Sequence, residues 1–481
     1  MTFRNFLLFL VVATATVVTA TTPDFPRDAA GQERLWNETI QAILEFKKEF
    51  DAHPELYQAE DGDALLTVPE IIARYGYPWE AHNVTTEDGY ILQLHRIPYG
   101  LGCGEGAGKR VAYLQHGLMG DSSNWIITGN KSRGLGVAKY HVFCMTAFEL
   151  VDACYDVWMG NYRGNTYSRL HTDPNKADFY DFSWHEMGMY DIPASIDYIL
   201  TATSAPSLYY VGHSMGCTAF FVAMSERPEY NAKVKLMSAL APATFMPNTK
   251  SLVVRLLLGL MPIFDRPPYM LVLPIEWTER LAAALCKTGS PTQPLCAMIL
   301  FLIGGDNAPQ LDLVSLPAIL GHSPAGSSSK TFLHYGQSIL SGEFRKYDYG
   351  AEKNPEHYDG ALTPPAYDLK KITTKIAIYY GPNDFLADRV DVIRSVREFG
   401  NGTVVNLREI EDPLFNHLDF VWAKDQHKLV NEVVMDFMEE FTNPTPTTTA
   451  PSGGITLGGG GVAMWVVVLL VTGFWGMKSS I

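Results

Sequence analysis

From Val84 to Ile97 apolar and polar residues alternate in two β-rich arms that meet at Asp88 and Gly89. This predicts a hairpin, because an Asp-Gly pair tolerates the positive φ angles of a tight turn. Beyond the glycine-rich stretch 100–108 the alternation gives way to short, mostly apolar runs at Val111–Gln115, Tyr155–Met159, Leu208–Val211 and Val234–Leu240. Such runs belong to strands buried on both faces. Helical stretches at Ile192–Leu200 and Thr218–Glu226 lead into the last two. The rhythm stops at Pro242 and resumes at Lys375–Tyr380, followed by a helix over Val390–Phe399, a strand over Thr403–Ile410 and a last helix over Lys424–Phe441. Strands alternating with helices predict the α/β class, with a mostly parallel sheet covered by helices.

Two parts of that core, 65–244 and 367–441, are therefore interrupted by an insertion at 245–366. It is apolar for an interruption, as Leu252–Leu260, Tyr269–Leu273 and Met298–Ile303 illustrate. A helical cap or lid over a site fits this composition, and an ordinary helical subdomain with its own core would use most of the same residues. If the stretch near 272–306 is the gate, excising it should cut activity on emulsified long-chain esters far more than on soluble short-chain ones.

The ends of the chain differ in kind from this body. Arg4, the apolar run Phe6–Val18 and the small residues up to Ala20 form a signal-peptide pattern over 1–20, too short to span a bilayer comfortably. A helical lead follows over 21–64, amphipathic around Leu35–Phe50. Past Phe441, a Pro/Thr/Gly-rich stalk over 442–461 cannot bury a core. The uncharged tail 462–477 then precedes Lys478, with small residues Ser452, Gly453 and Gly454 upstream. Its apolar length is shorter than the roughly 20 residues that span hydrocarbon, which favours a glycolipid-anchor signal. A single spanning helix with Lys478 on the cytoplasmic side, or an enzyme freed by proteolysis, are the alternatives.

Secretion exposes the six cysteines (103, 144, 154, 217, 286, 296) to an oxidising compartment. Cys286 and Cys296 make the best pair, because Gly289, Pro291 and Pro294 bend the short loop between them; buried thiols are the alternative. Four glycosylation sequons, at Asn37, Asn83, Asn130 and Asn401, agree with that route. The 47% hydrophobic and 19% charged composition is that of a folded chain, and a net charge of -15 excludes nucleic acid as a partner.

The chemistry concentrates at Gly212–Gly216, a G-x-S-x-G pentapeptide set directly after one predicted strand and directly before a helix. A nucleophile on so tight a turn takes a strained backbone, and glycine neighbours let strand and helix approach. Ser214 is thus the candidate nucleophile. A serine hydroxyl needs a base, and the base needs an acid to fix its tautomer. In the chain order that this topology expects, Asp384 after the strand Ile376–Tyr380 is the acid and His417 after the next strand is the base. Asp388 is the competing acid, with Asp384 then a turn residue; His427, inside the last helix, reads as a surface residue. Main-chain N–H groups of Met215 and Leu118 are the candidate oxyanion hole. This chemistry requires no cofactor and no metal.

At this point the chain resembles the acid lipase family, which includes gastric and lysosomal acid lipases and insect relatives, within the α/β-hydrolase superfamily. The matching segments are Glu70–Glu80, Gln115–Leu118 with Ser123–Trp125, Asp156–Asn165, Phe182–Pro193, the serine pentapeptide, Asn383–Asp388 and Asn416–Phe420, spread over residues 65 to 441. The resemblance implies a capped α/β-hydrolase fold acting on triacylglycerols or sterol esters at a lipid interface. It gives Ser214, Asp384 and His417 the same roles, and it sends the chain to the cell surface, the medium or the lysosome. Many relatives carry Gln where this chain has Met215; a main-chain donor survives that change. Residues 130–150 and the tail also depart from the pattern, which leaves acyl and headgroup preference open. A non-catalytic lipid carrier on the same fold is the alternative function, but a carrier has no need of the Ser, Asp and His set.

Overall fold

The structure, a computed structural model, describes residues 63–106, 108–127, 146–258 and 286–443. The signal segment, nearly all of the helical lead, Cys144, nearly all of the stalk and the tail lie outside these, as do Asn37, Asn130 and residues 272–285 of the stretch 272–306. The chain divides into two units, Met1–Met438 and Glu439–Ile481. Of the second, only the end of the last helix, through Asn443, falls among the described residues.

Among the described residues nine strands form one sheet: β1 (Glu80–Thr85), β2 (Tyr90–Ile97), β3 (Arg110–Gln115), β4 (Tyr155–Met159), β5 (Leu170–His171), β6 (Leu208–His213), β7 (Val234–Leu240), β8 (Ile376–Tyr380) and β9 (Val404–Glu409). They run in the order β1-β2-β4-β3-β6-β7-β8-β9, with β5 paired to β2. Pairing is parallel from β4 to β9 and antiparallel where β2 meets β1, β4 and β5. This is the mostly parallel sheet of an α/β-hydrolase fold. Every residue of β4, β6 and β8 is buried, whereas the edge strands β1 and β9 alternate between half-buried and exposed positions. Unbroken apolar runs mark the centre and alternation the rims because only central strands carry layers on both faces.

The hairpin differs from a two-residue turn. Thr86 N–H donates to Tyr90 C=O at 2.8 Å around the loop Glu87–Gly89, and of the three only Gly89 has positive φ, +92°. Asp88 instead pairs both oxygens with the Arg163 guanidinium, at 2.6 and 2.9 Å, and its other contact is the Thr86 hydroxyl at 2.6 Å.

Helices that matter for the site are α1 (Val68–Arg74), α2 (Thr146–Asp152), α3 (Ile192–Thr203), α4 (Met215–Glu226), α5 (Gln293–Gly304), α6 (Leu316–His322), α7 (Ser329–Ser341) and α8 (Arg389–Glu398). Helices α5 to α7 lie in the chain between β7 and β8, within the stretch 245–366. α5 buries Cys296, Ala297, Leu300 and Gly304 and leaves Met298 and Ile299 exposed. The final helix begins as a π-turn at His427–Asn431 and continues as α-helix over Glu432–Thr442, starting later than the apolar pattern implies. Disulfides join Cys103 to Cys154 and Cys286 to Cys296, and Cys217 is a buried free thiol on α4.

Candidate active site

β6 ends at His213, and α4 begins at Met215, so a single residue makes the turn between them. That residue is Ser214, with φ 53° and ψ −115°, a conformation that L-residues rarely take. Glycines make room for it. A Cβ on Gly212 would lie 2.9 Å from the carbonyl carbon of Gly216, and one on Gly216 would lie 2.3 Å from the Gln115 carbonyl oxygen of β3. Strand, helix and neighbouring strand therefore touch backbone to backbone around the serine. The turn is held further by Ser214 N–H donating to Leu240 C=O at 3.0 Å.

The loops after β8 and β9 come to the same end of the sheet. Gly381 lets them meet, since a Cβ there would sit 2.3 Å from the Phe415 carbonyl oxygen. The Ser214 hydroxyl lies 2.8 Å from His417 Nε2, and His417 Nδ1 lies 2.8 Å from Asp384 Oδ2. All three are buried, at 8%, 2% and 1% exposure, so the hydrogen bonds are shielded from water. The second oxygen of Asp384 accepts the N–H groups of Leu386 and Ala387, both at 2.8 Å. An acid used on both sides cannot swing away from the imidazole. Asp388 is engaged elsewhere: it caps α8 through Val390 N–H at 2.8 Å and pairs with Lys250 at 2.7 Å. His427 lies 3.0 Å from Glu432 and 3.1 Å from Glu149, on the last helix.

Met215 is the first residue of α4, where a helical N–H has no partner within its own helix. Gly117 abuts the serine closely: a Cβ on it would stand 3.1 Å from Ser214 Cβ. Leu118 is the next residue after Gly117, and Met215 follows Ser214 directly in the chain. The loop is fixed by His116, whose Nδ1–H donates to Gly117 C=O at 2.8 Å while Nε2 accepts Tyr162 N–H at 3.2 Å. Burial pushes this imidazole down to about 4, so it remains neutral and keeps that tautomer. Asn83 on β1 and Asn401 before β9 are both exposed.

Several site residues escape sequence reasoning. His213 Nε2–H donates to the His417 carbonyl at 2.9 Å, and burial, with the neighbouring His417, lowers its pKa to about 3. Its place inside the pentapeptide was visible, but its partner, about two hundred residues away in the chain, was not. Asn416 and Asp419 bracket the base: Asn416 Oδ1 accepts Leu418 and Asp419 N–H at 2.8 and 3.1 Å, and Asp419 Oδ2 accepts Asn416 N–H at 2.9 Å. Their spacing is a legible turn signal.

The sequence is similar to those of known lipases. Residues 68–129 match the family described as a partial alpha/beta-hydrolase lipase region, and residues 113–284 match the alpha/beta hydrolase fold. Lipase 1 of Drosophila melanogaster is 38% identical over 80% of this chain and 82% of its own length. Lipase 3 of the same organism is 41% identical over 76% of this chain and 91% of its own. The gastric triacylglycerol lipase of Bos taurus is 38% identical over 79% and 93%.

Proposed function

The chain belongs to the acid lipase family of the α/β-hydrolase superfamily, and from that membership and the geometry of its buried serine we propose that it hydrolyses lipid carboxylic esters through an acyl-enzyme on Ser214. As Ser214 Oγ attacks the ester carbonyl, His417 Nε2 takes the hydroxyl proton. Asp384 keeps the other ring nitrogen protonated and stabilises the imidazolium that forms. The tetrahedral oxyanion accepts the N–H groups of Met215 and Leu118. His417 then returns its proton to the leaving alcohol, and the C–O bond breaks. Water, activated by the same imidazole, attacks the acyl-enzyme and releases the fatty acid and the free serine.

The observation that carries the reading is the unbroken hydrogen-bond chain Ser214–His417–Asp384, two contacts of 2.8 Å among buried groups. Relatives named as triacylglycerol lipases, and the apolar insertion, favour neutral glycerol or sterol esters as substrate. Two disulfides suit the oxidising route that the signal segment and sequons imply. For the tail we keep the glycolipid anchor as the working assignment; among the described residues no helix is long and apolar enough to cross a membrane.

Hydrolysis measured across a panel of triacylglycerols, sterol esters and phospholipids from pH 4 to 8 tests the function. Turnover of neutral esters together with fluorophosphonate labelling of Ser214 is the expected result. A protein that binds these lipids, takes no label and releases no fatty acid is a carrier, and the proposal fails.

A further inference from the structure

Four consecutive residues at the end of α5 belong to the insertion, not to the sheet, yet they touch both loops that carry the acid and the base. The Gly304 carbonyl accepts the N–H of Phe385, next to Asp384, at 3.1 Å and the N–H of His417 itself at 3.2 Å. Gly305 then turns the chain at φ +114° and comes so near the acid loop that a Cβ would lie 2.2 Å from the Asn383 carbonyl oxygen. The Asp306 carbonyl accepts the Asn383 side-chain amide at 2.9 Å. Asn307, buried at 1% exposure, divides its amide between Asp419 Oδ2 at 2.8 Å and Asp412 Oδ2 at 3.2 Å. Asp419 in turn holds the N–H of Asn416, immediately before His417, at 2.9 Å.

A helix end leaves its last carbonyls without helical partners, and water or a local cap normally satisfies them. Here the Gly304 carbonyl is spent on two loops whose catalytic residues stand 33 positions apart in the chain. Proton transfer between Ser214, His417 and Asp384 depends on alignment within a fraction of an ångström, and a shift of about 1 Å can lower the rate about a hundredfold. We infer that Gly304–Asn307 are positioning residues that hold Asp384 and His417 in register, so that the insertion helps assemble the catalytic centre in addition to covering it. The inference rests on the Ser214–His417–Asp384 reading above.

It also changes what a deletion of the insertion does. Removing 272–306 takes away Gly304, Gly305 and Asp306, and activity on soluble short-chain esters falls along with activity on emulsions. A cut that gates access without disturbing the centre has to stop short of the end of α5.

The test uses the full chain with Asn307→Ala and Gly305→Ala, assayed on a soluble short-chain ester so that no lipid interface intervenes, with Ser214→Ala alongside. Asn307→Ala should lower kcat about tenfold or more with KM within about twofold, and slow fluorophosphonate labelling in proportion, at an unchanged folded fraction by thermal melt. Gly305→Ala should lower kcat further; should it fail to fold, Asn307→Ala decides. Wild-type kcat in folded Asn307→Ala overturns the inference while an inactive Ser214→Ala leaves the triad reading intact. A loss expressed only in KM, or a kcat that falls only with the folded fraction, overturns it as well. Full activity in Ser214→Ala removes the triad reading and the inference together.

Discussion

The sheet meets the serine by shape, whereas the insertion meets the acid and base by hydrogen bonds. Around Ser214 the contacts are backbone against backbone at Gly212 and Gly216, which leave no room for a Cβ, and Gly117 lies close against the Ser214 side chain. Around Asp384 and His417 they are N–H and C=O groups matched across loops, Gly304 and Asn307 among them. Shape of the first kind is set where β6 and α4 cross against the neighbouring strands β3 and β7. Matching of the second kind depends on where a separate segment of chain happens to end. The proposed nucleophile is thus held within the sheet and its adjoining helix, while the proposed acid and base also depend on a segment outside the sheet.

The severest way to break the comparison is on the sheet side. Ser214→Ala should remove ester hydrolysis to background, a loss on the order of a millionfold for residues that act as a unit, and abolish probe labelling. Near wild-type turnover would reject Ser214 as nucleophile. On the other side, Asp384→Asn should lower kcat about ten-thousandfold, since an amide favours the wrong imidazole tautomer. Asp388→Asn should lower it by less than about tenfold, because asparagine still caps a helix and the lost partner is the half-exposed Lys250. Equal losses would mean that the hydrogen bond at 2.8 Å does not identify the working acid.

Legibility in the sequence follows the same division. Central strands announce themselves because burial on both faces demands apolar runs, and β4, β6 and β8 lie within two residues of where those runs place them. The serine turn is legible because only glycine meets its steric demand, and the loops of Asp384 and His417 because they follow strands. Gly304 and Asn307 carry no such mark. A glycine ending an apolar helix has many reasons to be there, and the amide of Asn307 acquires its meaning only from Asp412 and Asp419, about a hundred residues on. The hairpin at Asp88 gives a smaller instance, where the dipeptide did not reveal that the Asp88 carboxylate pairs with Arg163.

A gentler contrast between the regions lies in their disulfides. Cys103–Cys154 ties the sheet's glycine-rich turn to the start of β4 and closes 51 residues, whereas Cys286–Cys296 closes 10 within the insertion. Loop entropy in the unfolded chain assigns the longer closure about 4 kcal/mol and the shorter about 3 kcal/mol. Replacing each pair by serine should therefore lower the thermal midpoint more for the first than for the second. The reverse order would show that the insertion relies on its short bridge for native-state order.

The smallest expected effect sits where the two regions meet, at Asp419. Burial pushes its carboxyl up to about 7; the N–H of Asn416 and the amide of Asn307 pull it back, and the nearby carboxylates of Asp412 and Asp384 raise it again. An acid with a raised folded pKa holds its proton more tightly in the native state. Its contribution to stability is therefore complete below the pKa of the unfolded chain, about 4, and is lost as pH rises through about 7. Asp419→Asn keeps an oxygen to accept from Asn416 and Asn307 but carries no charge at any pH. Compared with wild type, the variant should gain relative stability between pH 5 and pH 9, read as the difference between their denaturant midpoints. A difference that stays flat across that range would mean that ionised Asp419 is fully compensated by its two donors, and that the insertion's Asn307 does more for the charge than burial takes away.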